Sequence, residues 1–330
     1  MRSILITGAS SGFGRNVALE LARRGWRVFA SMRNLEKGEA LLADARRLGL
    51  QQQVSTLELD VTRQDTIDRA LEAVLEQTGG TLDAHFANAG YTTIGAFEDM
   101  SDEDCRRLME TNFFGVLATC RAVIPVMRRA QRGRIVVASS NTVNTPHPML
   151  SLYAASKWAI EGWAEAMEME LAPYGVTVRV AQLGAHKTAF NDNLVQILPP
   201  DSAYRPWLDA AWPGLAAVYG WQREAAEATA PIVHAIEAAD APFLSKVGED
   251  TVLCSAINAT FPYEARAAAV RALVGIPGAG AFVSDPAPAP AQEAWPTVTA
   301  VVNRFARGVK DNAELSRLIG TMTSSRTPGG

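Results

Sequence analysis

The sequence predicts an α/β fold: a doubly wound parallel sheet with helices on both faces, followed by a helical extension at the carboxyl end. Two observations carry that prediction. Short apolar runs alternate with longer segments of helical period from residue 3 to residue 183. The runs are also near-continuously apolar, as strands are when helices cover both faces of a parallel sheet. With right-handed crossovers, such an alternation winds a sheet in both directions from its middle.

In chain order, strand-like Ser3–Thr7 precedes helical Gly14–Arg24, and Arg27–Ser31 precedes Leu35–Leu48. Val54–Leu59 then leads to Asp65–Gln77, and Leu82–Ala87 to a long helix over Asp102–Arg129. Arg134–Ser139, a helix over Ser151–Pro173 and a strand over Val176–Leu183 complete the series. Beyond Gly184 the rhythm stops. Residues 188–222 carry Phe190, Tyr204, Trp207, Trp212, Tyr219 and Trp221 among Pro199, Pro200, Pro206 and Pro213, which reads as a long insertion over the sheet. Helical period returns at Arg223–Ala239 and Pro262–Leu273, and the Pro-Ala run Asp285–Gln292 reads as a semi-rigid linker before a short helix over Thr297–Ile319. The expected division is one α/β domain over residues 1–255 and a helical extension over 256–330.

Composition narrows the function. The 330 residues, 48% of them hydrophobic, can bury the core of one large domain. Acidic and basic side chains nearly balance, 35 against 31, so no net charge draws the chain to nucleic acid or an anionic membrane. Cys105, Cys120 and Cys254 show no C-x-x-C spacing, and the histidines His85, His147, His186 and His234 form no H-x-x-x-H pair, so neither a disulfide framework nor a metal is expected. A first strand opening at Ser3 leaves no room for a signal peptide, and no apolar run approaches the roughly 20 residues of a membrane span. The expectation is a cytoplasmic protein with a small-molecule partner.

The candidate site starts at Thr7-Gly8-Ala9-Ser10-Ser11-Gly12-Phe13-Gly14, between a strand and a helix. Glycines there permit a tight turn and close approach of a pyrophosphate to backbone N–H groups and the helix dipole. A glycine-rich turn also serves wherever the backbone needs φ > 0. At the end of the second strand, a carboxylate would accept from the ribose 2′-hydroxyl of NAD and repel the 2′-phosphate of NADP. The chain has Ala30-Ser31-Met32-Arg33 instead, so Arg33, with Ser31 and with Ser10, Ser11 or Arg15, is placed to hold a phosphate, and NADP(H) is favoured over NAD(H). Asp60-Val61 and Asn88-Ala89-Gly90 follow the third and fourth strands, at the sheet edge where open α/β sheets bind ligands. Asp60 can accept from an adenine amino group or cap a turn, and Gly90 can lie along a ribose or only reverse the chain.

Ser140, Tyr153 and Lys157 are the candidate chemistry. Tyr153 and Lys157 are spaced i, i+4 near a helix start and so share one face. A cationic lysine favours phenolate and lowers the tyrosine pKa from about 10, making Tyr153 a usable general acid/base. Ser140, at the end of the preceding strand, can donate to the substrate oxygen or to the phenolate.

With the amino-terminal turn, these residues resemble the short-chain dehydrogenase/reductase family, in the subgroup opening with T-G-x-x-x-G-x-G. The resemblance covers about residues 3–250 and rests on Gly8, Gly12 and Gly14, on Asp60, Asn88-Ala89-Gly90, Asn112 and Ser140, and on Tyr153 with Lys157 and Thr188. It implies a Rossmann-type fold with Tyr153 beside the nicotinamide, Lys157 also on the nicotinamide ribose, Asn112 holding a water that relays protons to Lys157, and Thr188 meeting the carboxamide. Asn112 also fits a plain helix-interior polar residue bonded to backbone. Where the family carries Pro-Gly after the sixth strand this chain has Leu183-Gly184, with His186-Lys187 before Thr188, so that loop is expected to differ locally. Val28–Leu41 looks most like members acting on steroids, retinoids or other lipophilic alcohols. The segment 188–240 matches the part that covers substrate, so Trp207 and Trp212, with Asn141, Thr142 and His147, are the expected substrate pocket, although the aromatics would serve equally as packing for a helical lid. Helices bearing Asn112 and Tyr153 form subunit contacts in the family, which implies a homo-oligomer.

The activity expected is NADP(H)-dependent interconversion of a secondary alcohol and a ketone, lipophilic or aromatic. The alternatives are an NADP(H)-binding sensor, which loss of Tyr153 or Lys157 would have favoured, and a sugar-nucleotide epimerase or dehydratase, which normally shows G-x-x-G-x-x-G.

Overall fold

A computed structural model describes residues 1–188, 190, 194–219 and 222–274. In chain order the strands are β1 (Ser3–Thr7), β2 (Arg27–Met32), β3 (Val54–Glu58), β4 (Ala84–Ala87), β5 (Thr93–Ile94), β6 (Gly133–Ser140), β7 (Val176–Leu183), β8 (His186–Lys187), β9 (Val195–Gln196), β10 (Arg223–Glu224) and β11 (Leu244–Val247). The helices are α1 (Gly12–Arg23), α2 (Glu39–Arg47), α3 (Gln64–Thr78), α4 (Asp102–Met109), α5 (Gly115–Ala130), α6 (Ser151–Leu171), α7 (Arg205–Tyr219), α8 (Thr229–Glu237), α9 (Glu249–Thr260) and α10 (Tyr263–Val274).

Seven strands form one sheet in the order β11-β7-β6-β4-β1-β2-β3, all paired in parallel. The order reverses direction beside β1, which is the doubly wound arrangement expected from the sequence. Strand residues alternate between faces. Ile4, Ile6, Val28 and Ala30 pack with Val17 and Leu21 of α1, Leu41 of α2 and Ile232 and Ile236 of α8 on one face. On the other, Leu5, Phe29 and Val137 pack with Ile67 and Val74 of α3, Val116 and Val123 of α5 and Ile160 and Ala164 of α6. A third, smaller cluster of Ile94, Ala96, Met149, Leu150, Leu208 and Ala211 lies beneath α7.

The structure departs from the sequence expectation in several places. The helix expected over Asp102–Arg129 is interrupted by a π-helical turn, Glu110–Phe114, with Asn112 at its middle. Leu35–Gly38 is a 3-10 turn capped by the Asn34 side chain, and α2 starts only at Glu39. The segment from Arg223 opens as a two-residue strand and a 3-10 turn before α8.

α7 forms despite Pro206 in its first turn, where a proline costs no helical hydrogen bond, and Pro213 in its interior. The edge strand β11 and helix α9 were not legible: Leu244-Ser245-Lys246-Val247 is too short to show a period. A boundary at 255 falls within α9. The linker at 285–292, the helix expected at Thr297–Ile319, and Trp221 lie outside the described residues.

Candidate active site

The glycine-rich turn is held by β4. Asn88 donates through Nδ2 to the carbonyls of Thr7 (3.0 Å) and Gly8 (3.1 Å), and the backbone N–H groups of Asn88 and Ala89 donate to Thr7 Oγ1. Gly8 and Gly12 have positive φ, +68° and +55°. A Cβ on Gly14 would lie 2.6 Å from the Gly8 carbonyl oxygen and 2.8 Å from Asn88 Nδ2, so this turn closes only over glycine. Ser11 is the N-cap of α1 but its hydroxyl does not cap the helix. The result is a shallow cradle at a helix N-terminus, with Ser10, Ser11 and Phe13 around it, which fits a pyrophosphate.

At the end of β2 the structure corrects part of the phosphate-binding expectation. Ser31 is buried and its Oγ donates to the Ile6 carbonyl at 3.0 Å. Arg15 is paired with Asp44 of α2. Arg33 is exposed. Of the two arginines weighed for a 2′-phosphate, Arg33 is the more available, because Arg15 is engaged by Asp44.

Asp60 does cap a turn: one carboxylate oxygen accepts from the Thr62 N–H (2.9 Å) and hydroxyl (2.8 Å). Val61 is buried against Gly115, so its side chain is core and only its backbone can face a ligand.

Tyr153 and Lys157 lie in the first two turns of α6, buried to 8% and 5% exposure, with Lys157 Nζ 5.7 Å from the Tyr153 ring centroid. The ammonium donates to the Ala138 carbonyl at 2.9 Å. Burial lowers the Lys157 pKa to about 8, and the nearby charge of Glu161 opposes that shift. Glu161 is itself raised by burial, against hydrogen bonds from Ser139 Oγ (2.5 Å) and Gln182 Nε2 (2.9 Å) to its Oε1. Tyr153, Lys157 and Glu161 therefore run down one helical face at i, i+4, i+8, and Glu161 escaped the sequence reading although that spacing could have revealed it. Ser140 ends β6, and its Oγ accepts from the Thr142 N–H at 3.3 Å.

Asn112 is fully buried. Its Oδ1 accepts from the Tyr91 N–H (3.0 Å), while its Nδ2 donates to the Tyr91 carbonyl (2.8 Å) and to Ser156 Oγ (3.3 Å). These bonds join the chain beyond β4 to α6. The π turn, a distortion found mostly at functional sites, sets Asn112 at this junction. A Cβ on Gly90 would lie 3.1 Å from Asn112 Oδ1 and 3.7 Å from Lys157 Nζ, so Gly90 leaves room between them.

After β7 the chain crosses back over the cradle. A Cβ on Gly12 would lie 3.2 Å from Thr188 Cβ, the His186 ring meets Phe13 edge-on at 5.3 Å, and Phe190 lies 6.1 Å from the Tyr153 ring. One strap therefore touches both the glycine turn and the tyrosine.

Of the expected substrate residues, Thr142 Oγ1 and His147 Nδ1 are buried with no hydrogen-bond partner among the described residues, whereas Asn141 donates to Asp250. Trp207 lines a cleft of about 340 Å³ with Gly95, Ala96, Phe97, Met149 and Tyr204, two residues along the chain from Tyr153 at Ser151. Trp212 is half exposed and is not part of that lining.

The family model for short chain dehydrogenases matches residues 2–197, and the chain belongs to that family, a family of oxidoreductases. A 3-ketodihydrosphingosine reductase of Bacteroides thetaiotaomicron is 37% identical over 190 residues, 58% of this chain and 66% of that protein. Retinol dehydrogenase 8 of Bos taurus is 33% identical over 199 residues, 59% of this chain and 62% of that protein. The matched part is thus less than two thirds of either relative. Among solved structures, a short-chain dehydrogenase from Streptomyces avermitilis superposes with a TM-score of 0.67 at 29% identity, covering 77% of this chain and 90% of that one.

The buried ammonium has a consequence for stability. The folded pKa of Lys157, about 8, lies below its ordinary 10.5, so between those values the unfolded chain binds the extra proton and stability rises with pH. Below pH 8 the full cost of about 3 kcal/mol is present. Lys157→Met is therefore expected to raise stability at pH 7, by less than that amount because the bond to Ala138 is lost, and the advantage should shrink between pH 8 and 10.5. Urea denaturation of both proteins across this range checks it. A variant less stable than the parent at pH 7 would refute the burial cost.

Proposed function

We propose that the chain is an NADP(H)-dependent oxidoreductase that interconverts a lipophilic secondary alcohol and its ketone, with Tyr153 as general acid/base. The observation that carries this reading is the buried pair of Tyr153 and Lys157 on one face of α6, with Lys157 bonded to Ala138 of β6, the strand that Ser140 ends, and with Tyr153 under the strap that also touches the glycine cradle.

Gly8, Gly12 and Gly14 with the N-terminus of α1 would hold the pyrophosphate. Asp60, the Val61 backbone and Asn88-Ala89-Gly90 would border the adenosine and ribose; Gly184 and Thr188 would flank the nicotinamide. When bound, the nicotinamide supplies or takes up the hydride. The chain does the rest. Tyr153 gives its phenolic proton to the carbonyl oxygen during reduction and takes it from the alcohol during oxidation. Lys157, held near Tyr153 by the bond to Ala138, stabilises the phenolate. Ser140 Oγ donates to the oxygen on which charge develops, and Asn112 joins Lys157's surroundings to the Tyr91 backbone, where a water can pass protons outward.

Support for NADP(H) is the absence of a carboxylate at the end of β2, where Arg33 stands exposed. Support for a lipophilic substrate is the cleft of Phe97, Met149, Tyr204 and Trp207, together with the names of the two relatives. The exposed side chains of Phe114 and Trp158, on the π turn and α6, offer an apolar face for a second copy of the chain. No described helix is long and apolar enough to cross a membrane.

Tyr153→Phe should abolish nicotinamide-linked turnover of lipophilic ketones, followed by absorbance, while NADPH affinity stays within about twofold. Retained turnover would remove Tyr153 from the chemistry. Arg33→Ala should weaken NADPH about tenfold or more, as loss of a charge-assisted hydrogen bond does, and leave NADH unchanged. Titration with both cofactors checks this, and equal effects would mean that Arg33 does not read the 2′-phosphate. Trp158→Glu should shift the protein to a smaller species in light scattering; an unchanged mass would place any subunit contact elsewhere.

A further inference from the structure

Past their last paired residues, Ser140 with Leu183 and Leu183 with Val247, no further ladder joins the adjacent strands β6, β7 and β11 to one another, although β8, in the strap after β7, pairs with β10. Those segments bear the residues of the site: Ser140 ends β6, and the strap after β7 carries Thr188 over Gly12. Asp250, near the start of α9, stands where the ladder stops.

Its Oδ2 accepts from Asn141 Nδ2 at 2.9 Å and from the Ala185 N–H at 2.7 Å, one donor from each segment. The neighbouring backbone is shaped around this carboxylate. A Cβ on Gly184 would overlap it, and one on Gly248, whose φ is +103°, would lie 2.5 Å from its Oδ1. Gly184 also donates to the Val247 carbonyl at 2.8 Å, which fixes the third strand to the same point. The His186 ring, hydrogen-bonded to the Gly184 carbonyl at 2.9 Å and packed on Phe13, continues the contact to the glycine cradle. Burial raises the Asp250 pKa, against the amides that bond to it and the charge of His186. Oδ2 gains from its two donors only in this one arrangement, while Oδ1 is buried with no hydrogen-bond partner among the described residues, so the carboxylate is costly to bury.

We propose that Asp250 is a positioning residue that ties the ends of β6 and β7 together where their ladder stops, holding the Ser140 segment and the Thr188 strap at a fixed separation around the nicotinamide end of the site. It touches neither substrate nor cofactor and acts through Ser140 and Thr188. The inference rests on the dinucleotide reading above, and it assigns a function to α9, which the sequence did not reveal.

The test compares two probes by calorimetric titration, NADPH and 2′-phospho-ADP-ribose, which lacks the nicotinamide. Asp250→Ala should weaken NADPH about tenfold or more while the fragment stays within about twofold, because one hydrogen-bonded charge holds both segments. Asp250→Asn should restore NADPH binding to near the parent value, because its carboxamide oxygen, in the place of Oδ2, can accept from both Ala185 and Asn141. If Asp250→Ala does not fold, Asn141→Leu, which removes only the Ser140 arm, should show the same selective loss. Equal weakening of both probes, or parent-like NADPH binding by folded Asp250→Ala, would overturn the proposal. A parent protein that binds neither probe would remove the dinucleotide reading itself, and the proposal with it.

Discussion

A lysine ammonium held almost out of water is the constraint around which the site is built. On the proposed mechanism Lys157 has to be cationic to favour a phenolate on Tyr153, yet burial pulls its pKa down to about 8. The fold compensates locally. The Ala138 carbonyl accepts from the ammonium, Glu161 one turn further along α6 adds a negative charge, and Ser139 and Gln182 keep that carboxylate supplied with donors. Because Ser139 and Gln182 are paired neighbours on β6 and β7, the electrostatics of the lysine depend on the register of the sheet. Gln182 in turn accepts from Asn144 Nδ2 at 2.7 Å, which extends the network into the loop between Ser140 and Tyr153.

The same end of the sheet is braced from outside the matched segment. Arg266 of α10 donates to the Asn144 carbonyl at 3.3 Å and bonds to Asn258 of α9. Ala265 is buried at 1% exposure. The helices after β11 thus bear on the loop that carries Thr142 and His147, and residues 256–274 are joined to the site by hydrogen bonds and packing.

How much of this was legible varies with the physics behind each feature. Strands apolar on both faces announce a covered parallel sheet, and a tyrosine and lysine four residues apart on a helix must share a face. The glycines at 8, 12 and 14 could be read from the turn they permit. By contrast, Ser31 and Arg15 looked suited to a phosphate by position, and their side chains proved committed to Ile6 and Asp44. The π turn at Asn112 shows no change of hydrophobic period, since one shifted residue inside a long amphipathic stretch leaves the apolar face nearly unchanged. The edge strand β11 was too short to stand out.

The sequence by itself determined the order of six of the seven main-sheet strands, the glycine turn at a helix N-terminus, and the chemical identity of Ser140, Tyr153 and Lys157, because periodicity, turn geometry and helical spacing are local. Tertiary structure alone decided which polar groups meet across elements: Asn112 with Tyr91, Glu161 with Ser139 and Gln182, and Asp250 with Asn141 and Ala185. Such pairs join residues 21 to 109 positions apart, and a buried polar group's partner is fixed by where the packed chain returns, which no local pattern records.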